Sequence, residues 1–164
     1  RLSKLKKSTL IACLCLFPTP AMSDGPELGW NISYYQDTFS QDITAVGHVT
    51  EIGQVFDSGT IYMLCDAGEL SVGFSPKRLM MFTDTVSAQF KSGDTTEEIT
   101  VVARKFPIVG NRLAASSKDN DRFMNFLLKA TQTIAFKSDD KQGKFPIVGL
   151  KKVFSILKSE CTSS

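Results

Sequence analysis

Residues 60–74, TIYMLCDAGELSVGF, carry the clearest hairpin signal in the chain. Ile61, Met63 and Cys65 fall on one side of an extended strand; beyond Asp66, Ala67, Gly68 and Glu69, so do Leu70, Val72 and Phe74. Period-two alternation on both arms, around a polar turn with a glycine, predicts an antiparallel pair with one buried face. Cys65 points to that face.

Working outward, similar patterns recur on both sides. Trp30, Ile32 and Tyr34 alternate with polar neighbours and predict a strand, and residues 36–41 a loop carrying Asp37. Residues 43–55 read as a further strand, because Thr44, Val46, Val49, Thr50 and Ile52 are β-branched and Gly47 and Gly53 interrupt a helix. Ser75-Pro76 suits a helical turn through Met80. Val86, Ala88 and Phe90, then Ile99, Val101 and Ala103, form a second hairpin around Ser92-Gly93-Asp94, with residues 95–98 as its solvated neck.

Residues 111–118 read as a polar lead into a helix capped by Ser117 or Asp119, with Phe123, Phe126, Leu127 and Ala130 on its apolar face. A strand over 131–137 and a turn over 138–143 follow. Leu150, Val153, Phe154, Leu157 and Cys161 then mark one face of an amphipathic helix over 149–161. The expected fold is a single α+β domain, an antiparallel sheet of six to seven strands with two helices. The hexapeptide KFPIVG occurs at 105–110 and again at 144–149 with unmatched flanks. An array needs about three units, so the two copies read as similar connectors.

The first 23 residues stand apart. A basic start (RLSKLKK), an apolar run (STLIACLCLF) and small residues at Ala21 and Ser23 predict a cleaved secretory signal peptide, followed by an exported domain over 24–164. The apolar run of about ten residues is well under the roughly 20 that a membrane-crossing helix needs. Leu10-Ile11-Ala12-Cys13 is the alternative, a lipoprotein box that would tether the chain through Cys13. The exported part is expected in the bacterial periplasm or secreted, which removes significance from the Asn31-Ile32-Ser33 glycosylation sequon.

Arg1, Lys4, Lys6 and Lys7 account for four of the 19 basic residues and none of the 17 acidic ones, so residues 24–164 hold 15 against 17, a net charge of −2. That balance offers no electrostatic reason for nucleic-acid or anionic-membrane binding. Cys65 and Cys161 are the cysteines left after the leader, and in an oxidising compartment they read as one disulfide; two buried free thiols are the alternative.

Common catalytic sets each lack a part. His48 is the only imidazole, with no GxSxG elbow to accompany it, and no phosphate-binding glycine loop or HExxH zinc motif occurs. Asp119-Asn120-Asp121 lacks the remaining ligands of a calcium loop, and helix capping explains it more simply. Glu97-Glu98 and Asp139-Asp140 are adjacent in sequence, which in a strand or turn points the carboxylates apart. No catalytic residue, cofactor or metal is expected.

The leader, the Trp30-x-Ile32 strand, the Asp37-Thr38 loop, Leu64-Cys65, the arms at 86–90 and 99–103, and the ending GLKKVFSIL at 149–157 before Cys161 together resemble a family. It is the VasI-like group of type VI secretion-associated periplasmic proteins. The resemblance implies a non-enzymatic accessory domain that contacts an envelope or secretion-system protein, with Cys65 and Cys161 carried over as a pair. An inhibitor or immunity protein against a cell-wall hydrolase is the alternative function, and a hydrolase using an unrecognised carboxylate pair the third.

Overall fold

A computed structural model describes residues 29–77, 85–139 and 141–163. The leader, Cys13, most of the segment expected to form a turn after Pro76, and Asp140 lie outside the described residues.

The 60–74 hairpin forms as two seven-residue strands, β3 (Thr60–Asp66) and β4 (Glu69–Ser75). Cys65 faces Leu70 and Asp66 faces Glu69, leaving a two-residue turn in which Ala67 and Gly68 have φ of 51° and 82°. Left-handed backbone at both central positions is the hairpin turn whose twist matches the strands, and Gly68 adopts it without a Cβ penalty.

Around this pair stand β1 (Asn31–Gln36), β2 (Ile43–Thr50), β5 (Thr85–Ser92), β6 (Thr95–Phe106), β7 (Gly110–Ala115), β8 (Ile134–Ser138) and β9 (Lys141–Phe145). They form one sheet of order β1-β2-β3-β4-β7-β6-β5-β8-β9, with every pairing antiparallel. Two helices are found among the described residues, α1 (Ser117–Lys129) and α2 (Leu150–Thr162).

Nine strands among the described residues correct the six to seven expected, and the fold is mostly β. The two missed strands have physical reasons. In β7, GNRLAA has no β-branched residue, yet it is buried on both faces, with Leu113 and Ala115 in the main core and Ala114 in the reverse-face cluster. In β9, KQGKF has no apolar residue before Phe145. An edge strand held by ladder hydrogen bonds needs none. The solvated neck at 95–98 is also strand, with Ser92 opposite Thr95. The helix cap is Ser116, one residue earlier than expected.

The sheet is curled. Five strand intervals separate β4 from β9, about 24 Å in a flat sheet at roughly 4.8 Å each. Phe74 of β4 nevertheless lies with its ring centroid 6.2 Å from Phe145 of β9, 5.1 Å from Phe136 of β8 and 4.9 Å from Phe90 of β5. Phe90 in turn meets Phe123 of α1 at 4.6 Å. The main core fills this concave face, with α2 supplying Leu150, Val153 and Leu157. Gly47 lets α2 approach β2, since a Cβ there would run into Val153 and Leu157.

The hairpin buries both faces rather than the one expected. Tyr62 and Leu64 point away from the main core into a second cluster with Val46, Phe106, Val109 and Ala114. Phe106 and Val109 belong to the first KFPIVG copy, which folds over the back of the sheet between β6 and β7. Tyr62 donates its hydroxyl to the Leu113 carbonyl at 2.6 Å, and Gly73 leaves room for the phenol ring. Burial pushes that phenol above its ordinary pKa.

Both copies of KFPIVG end a strand at Phe and place the final glycine in the left-handed region, at φ 82° for Gly110 and 81° for Gly149. They differ in between, because only Ile108 of the first copy has positive φ. One copy turns a strand back on itself; the other launches α2. Phe145 enters the main core and Val148 remains exposed, so identical residues occupy different environments.

Candidate functional site

Cys65 on β3 and Cys161 on α2 are joined in a disulfide, with Cα atoms 5.3 Å apart and a sequence separation of 96. It fastens the C-terminal helix to the central hairpin and leaves no free thiol among the described residues.

Among the described carboxylates singled out in the sequence, Glu97 and Asp119 meet only through Arg122, which pairs with both. Glu97 pairs with Arg122 at 2.7 Å, its neighbour Glu98 is exposed, and Asp139 is exposed at a turn with φ 46°. Asp119 is buried and accepts from the Thr100 N–H at 2.9 Å and from Arg122 at 2.8 Å. The hydrogen bond from Arg122 to Glu97 raises the guanidinium pKa further. Asn120 accepts from the Val72 N–H and donates to the Leu70 carbonyl, both at 3.0 Å. Since β4 and β7 pair at one position, Gly73 with Ala114, Asn120 satisfies the strand groups left open beside that narrow seam. These residues do more than cap a helix: they stitch α1 into the sheet.

His48 is half-buried on β2, with Nε2 2.8 Å from the Ser33 hydroxyl. Burial lowers its pKa below the ordinary value of 6.5. A depressed folded-state value means that the unfolded chain binds the proton more readily. The stability contribution is therefore present above 6.5 and lost as pH falls through the folded value. Urea midpoints should fall between about pH 7.5 and about pH 5.5, and His48→Gln should remove that part of the slope.

The arrangement with the greatest commitment of buried polar groups is elsewhere, at the base of the 51–59 loop between β2 and β3. Glu51, 5% exposed, accepts from the Gly59 N–H at 2.8 Å and from Lys141 Nζ at 3.0 Å. Its own N–H donates to the Gly59 carbonyl at 2.9 Å, so the loop is closed at its neck. Lys141 also donates to the Asp57 carbonyl, Ser58 to the Gln54 carbonyl, and the Ile52 N–H to the Lys144 carbonyl. Gly143 sits against the Glu51 carboxylate, where a Cβ would collide. This polar knot ties β9 to the far side of the curled sheet and holds a loop whose tip exposes Val55 (83%) and Phe56 (85%).

Comparison with family models, curated proteins and solved structures finds no match. Among the described residues, no three His, Cys, Asp or Glu side chains are grouped to hold a metal, and no helix is long and apolar enough to cross a membrane. A groove of about 260 Å³ beside α1 is lined by Glu97, Arg122 and Lys129, and an open furrow of about 410 Å³ runs past Cys65 and Leu157.

Sequence reasoning missed Glu51, Lys141 and the loop. The strand expected over 43–55 stops at Thr50, so Glu51 and Val55 fall in a loop instead, and Lys141 lies in the stretch expected as a turn; only the curl brings Glu51 and Lys141 together. The exposed Val55-Phe56 pair was the one available signal, an apolar dipeptide flanked by Gln54 and Asp57-Ser58-Gly59.

Proposed function

We propose that this chain is an exported, non-enzymatic protein-interaction domain of the bacterial envelope, and that it acts as an accessory to type VI secretion. The carrying observation is the 51–59 loop, whose buried anchor presents two large apolar side chains to solvent. Holding exposed Val55 and Phe56 in place reduces the ordering entropy that binding would otherwise lose. Loops positioned by a rigid scaffold are where binding residues concentrate. The order of the leader, strands, Gly-Leu helix and terminal cysteine supports the secretion assignment.

The same loop favours a second reading, inhibition of a cell-wall hydrolase, because a protruding anchored loop suits insertion into a substrate cleft. Phe56→Asp decides between contact and no contact. Stability should change by less than about 0.5 kcal/mol, since the side chain is exposed. Recovery of the envelope partner from periplasmic extract should fall at least about tenfold, the loss of about 1.4 kcal/mol or more expected when an apolar anchor is replaced by a charge. Equal recovery by wild type and variant, or no envelope component with either, would sink the proposal. Lysozyme and amidase assays test the second reading, which requires inhibition that Phe56→Asp abolishes.

A further inference from the structure

The two edges of the sheet are built differently. On β9, Lys141 and Lys144 put charge on the strand, and the Lys144 carbonyl is taken by the Ile52 N–H. Charge and coverage are the usual defences of an edge. The β1 strand, NISYYQ, has no charge, no proline and no covering segment among the described residues.

Its free groups can be assigned. The Trp30 N–H leaves the sheet to donate to Val148, and the Asp37 N–H donates inward to Asp42. Backbone direction alternates along an antiparallel strand, so Ile32, Tyr34 and Gln36 turn their N–H and C=O groups outward. The Val148 carbonyl occupies only the Trp30 position, so among the described residues nothing bonds these three on their outer side. Tyr34 is 62% exposed, and Ile43 beside it on the same face is 63% exposed.

We infer that a second copy of this chain pairs with β1 antiparallel across a two-fold axis through Tyr34. In that register Tyr34 meets Tyr34 of the second copy and Ile32 meets its Gln36, so all three open positions on each strand are used. Charge argues for the homotypic pairing. A two-fold axis brings each residue against its own copy or its mirror position, and a charged edge would repel itself. Here nothing from Trp30 to Gln36 is charged, and Asp37 would face Asn31 rather than another acid. A neutral edge selects no charged foreign strand, yet pairs with itself without opposition.

A six-residue strand pair belongs to the small-interface class, so half-association is expected at tens of micromolar, about 6 kcal/mol. Sedimentation of the purified protein from about 1 µM to about 1 mM should show a monomer giving way to a dimer. Tyr34→Lys should weaken the dimer at least tenfold with the circular dichroism spectrum unchanged, and Tyr34→Phe should retain it. Register is tested by Tyr34→Cys, whose partners would lie about 5.5 Å apart at Cα, within disulfide reach. It should give a covalent dimer on oxidation, whereas Gln36→Cys should not. A monomer throughout that range leaves the edge to a foreign strand or to this chain's own residues before Gly29, and overturns the inference. A dimer indifferent to Tyr34→Lys, or equal cross-linking at both positions, overturns it too.

Discussion

Cys65→Ser/Cys161→Ser should lose about 4 to 5 kcal/mol of stability, the chain-entropy value for opening a cross-linked loop of this length. The two cysteines are 96 residues apart, so the bond constrains most of the unfolded chain from the central hairpin to the last helix. Replacing both avoids a reactive leftover thiol. The expected fall in melting temperature is about 15 °C, and guanidinium titration should show it as a lower midpoint. Location makes the loss uneven. α2 covers Gly47 and contributes Leu150, Val153 and Leu157 to the main core, and the disulfide fastens its C-terminal end. Amide exchange should accelerate first in α2 and the β2 backbone beneath it. A loss under about 1 kcal/mol would mean that packing of α2 alone holds the tail in place, and that the bond adds little.

The two cysteines are also the most legible features of the sequence. Cys65 lies in a strand with clear alternation and Cys161 on a helix face marked at helical spacing, and each signal is local. The turn was equally readable, because Gly68 between polar Asp66 and Glu69 marks it, although the positive φ of Ala67 has no signal in its residue type. What lay hidden depends on contacts distant in sequence. β7 and β9 have weak strand composition and exist because neighbours supply a ladder; Tyr62 and Leu64 are buried because Phe106 and Val109 fold over them. Identical KFPIVG segments with different interiors make the same point, since local sequence there is constant and only the surroundings change. Asp119 and Asn120 were legible as a helix start, but not as the groups that bond the β6 backbone at Thr100 and fill the seam beside β4.

The Glu51 anchor is the other place where a single change should act strongly. Glu51→Ala removes the carboxylate, leaving the Gly59 N–H without its acceptor and the Lys141 ammonium without its counter-ion, with only the Asp57 carbonyl still to bond. Breaking a buried pair from one side costs about 3 to 5 kcal/mol. Lys141, with a side chain 16% exposed, can reach toward water, so the lower end, about 3 kcal/mol, is expected. Glu51→Gln keeps an acceptor for Gly59 and should lose about half as much. Gly143→Ala should destabilise from the opposite side, because the added methyl occupies the carboxylate's position. Replacing Glu51 and Lys141 together by methionine should recover part of the loss, since no lone charge then remains. The amides of Ile52 and Gly59 report the consequence: their exchange should approach that of an open loop in Glu51→Ala while the Phe74 core stays protected. The functional effect follows from the same loosening. Val55 and Phe56 are still present in Glu51→Ala, but their ordering must then be done at the moment of binding, so partner affinity falls together with loop protection. Phe56→Asp lowers affinity with protection intact. If Glu51→Ala destabilised by less than about 1 kcal/mol and left the Ile52 and Gly59 amides protected, the buried pair would be incidental to the loop, and rigidity would no longer support a binding role.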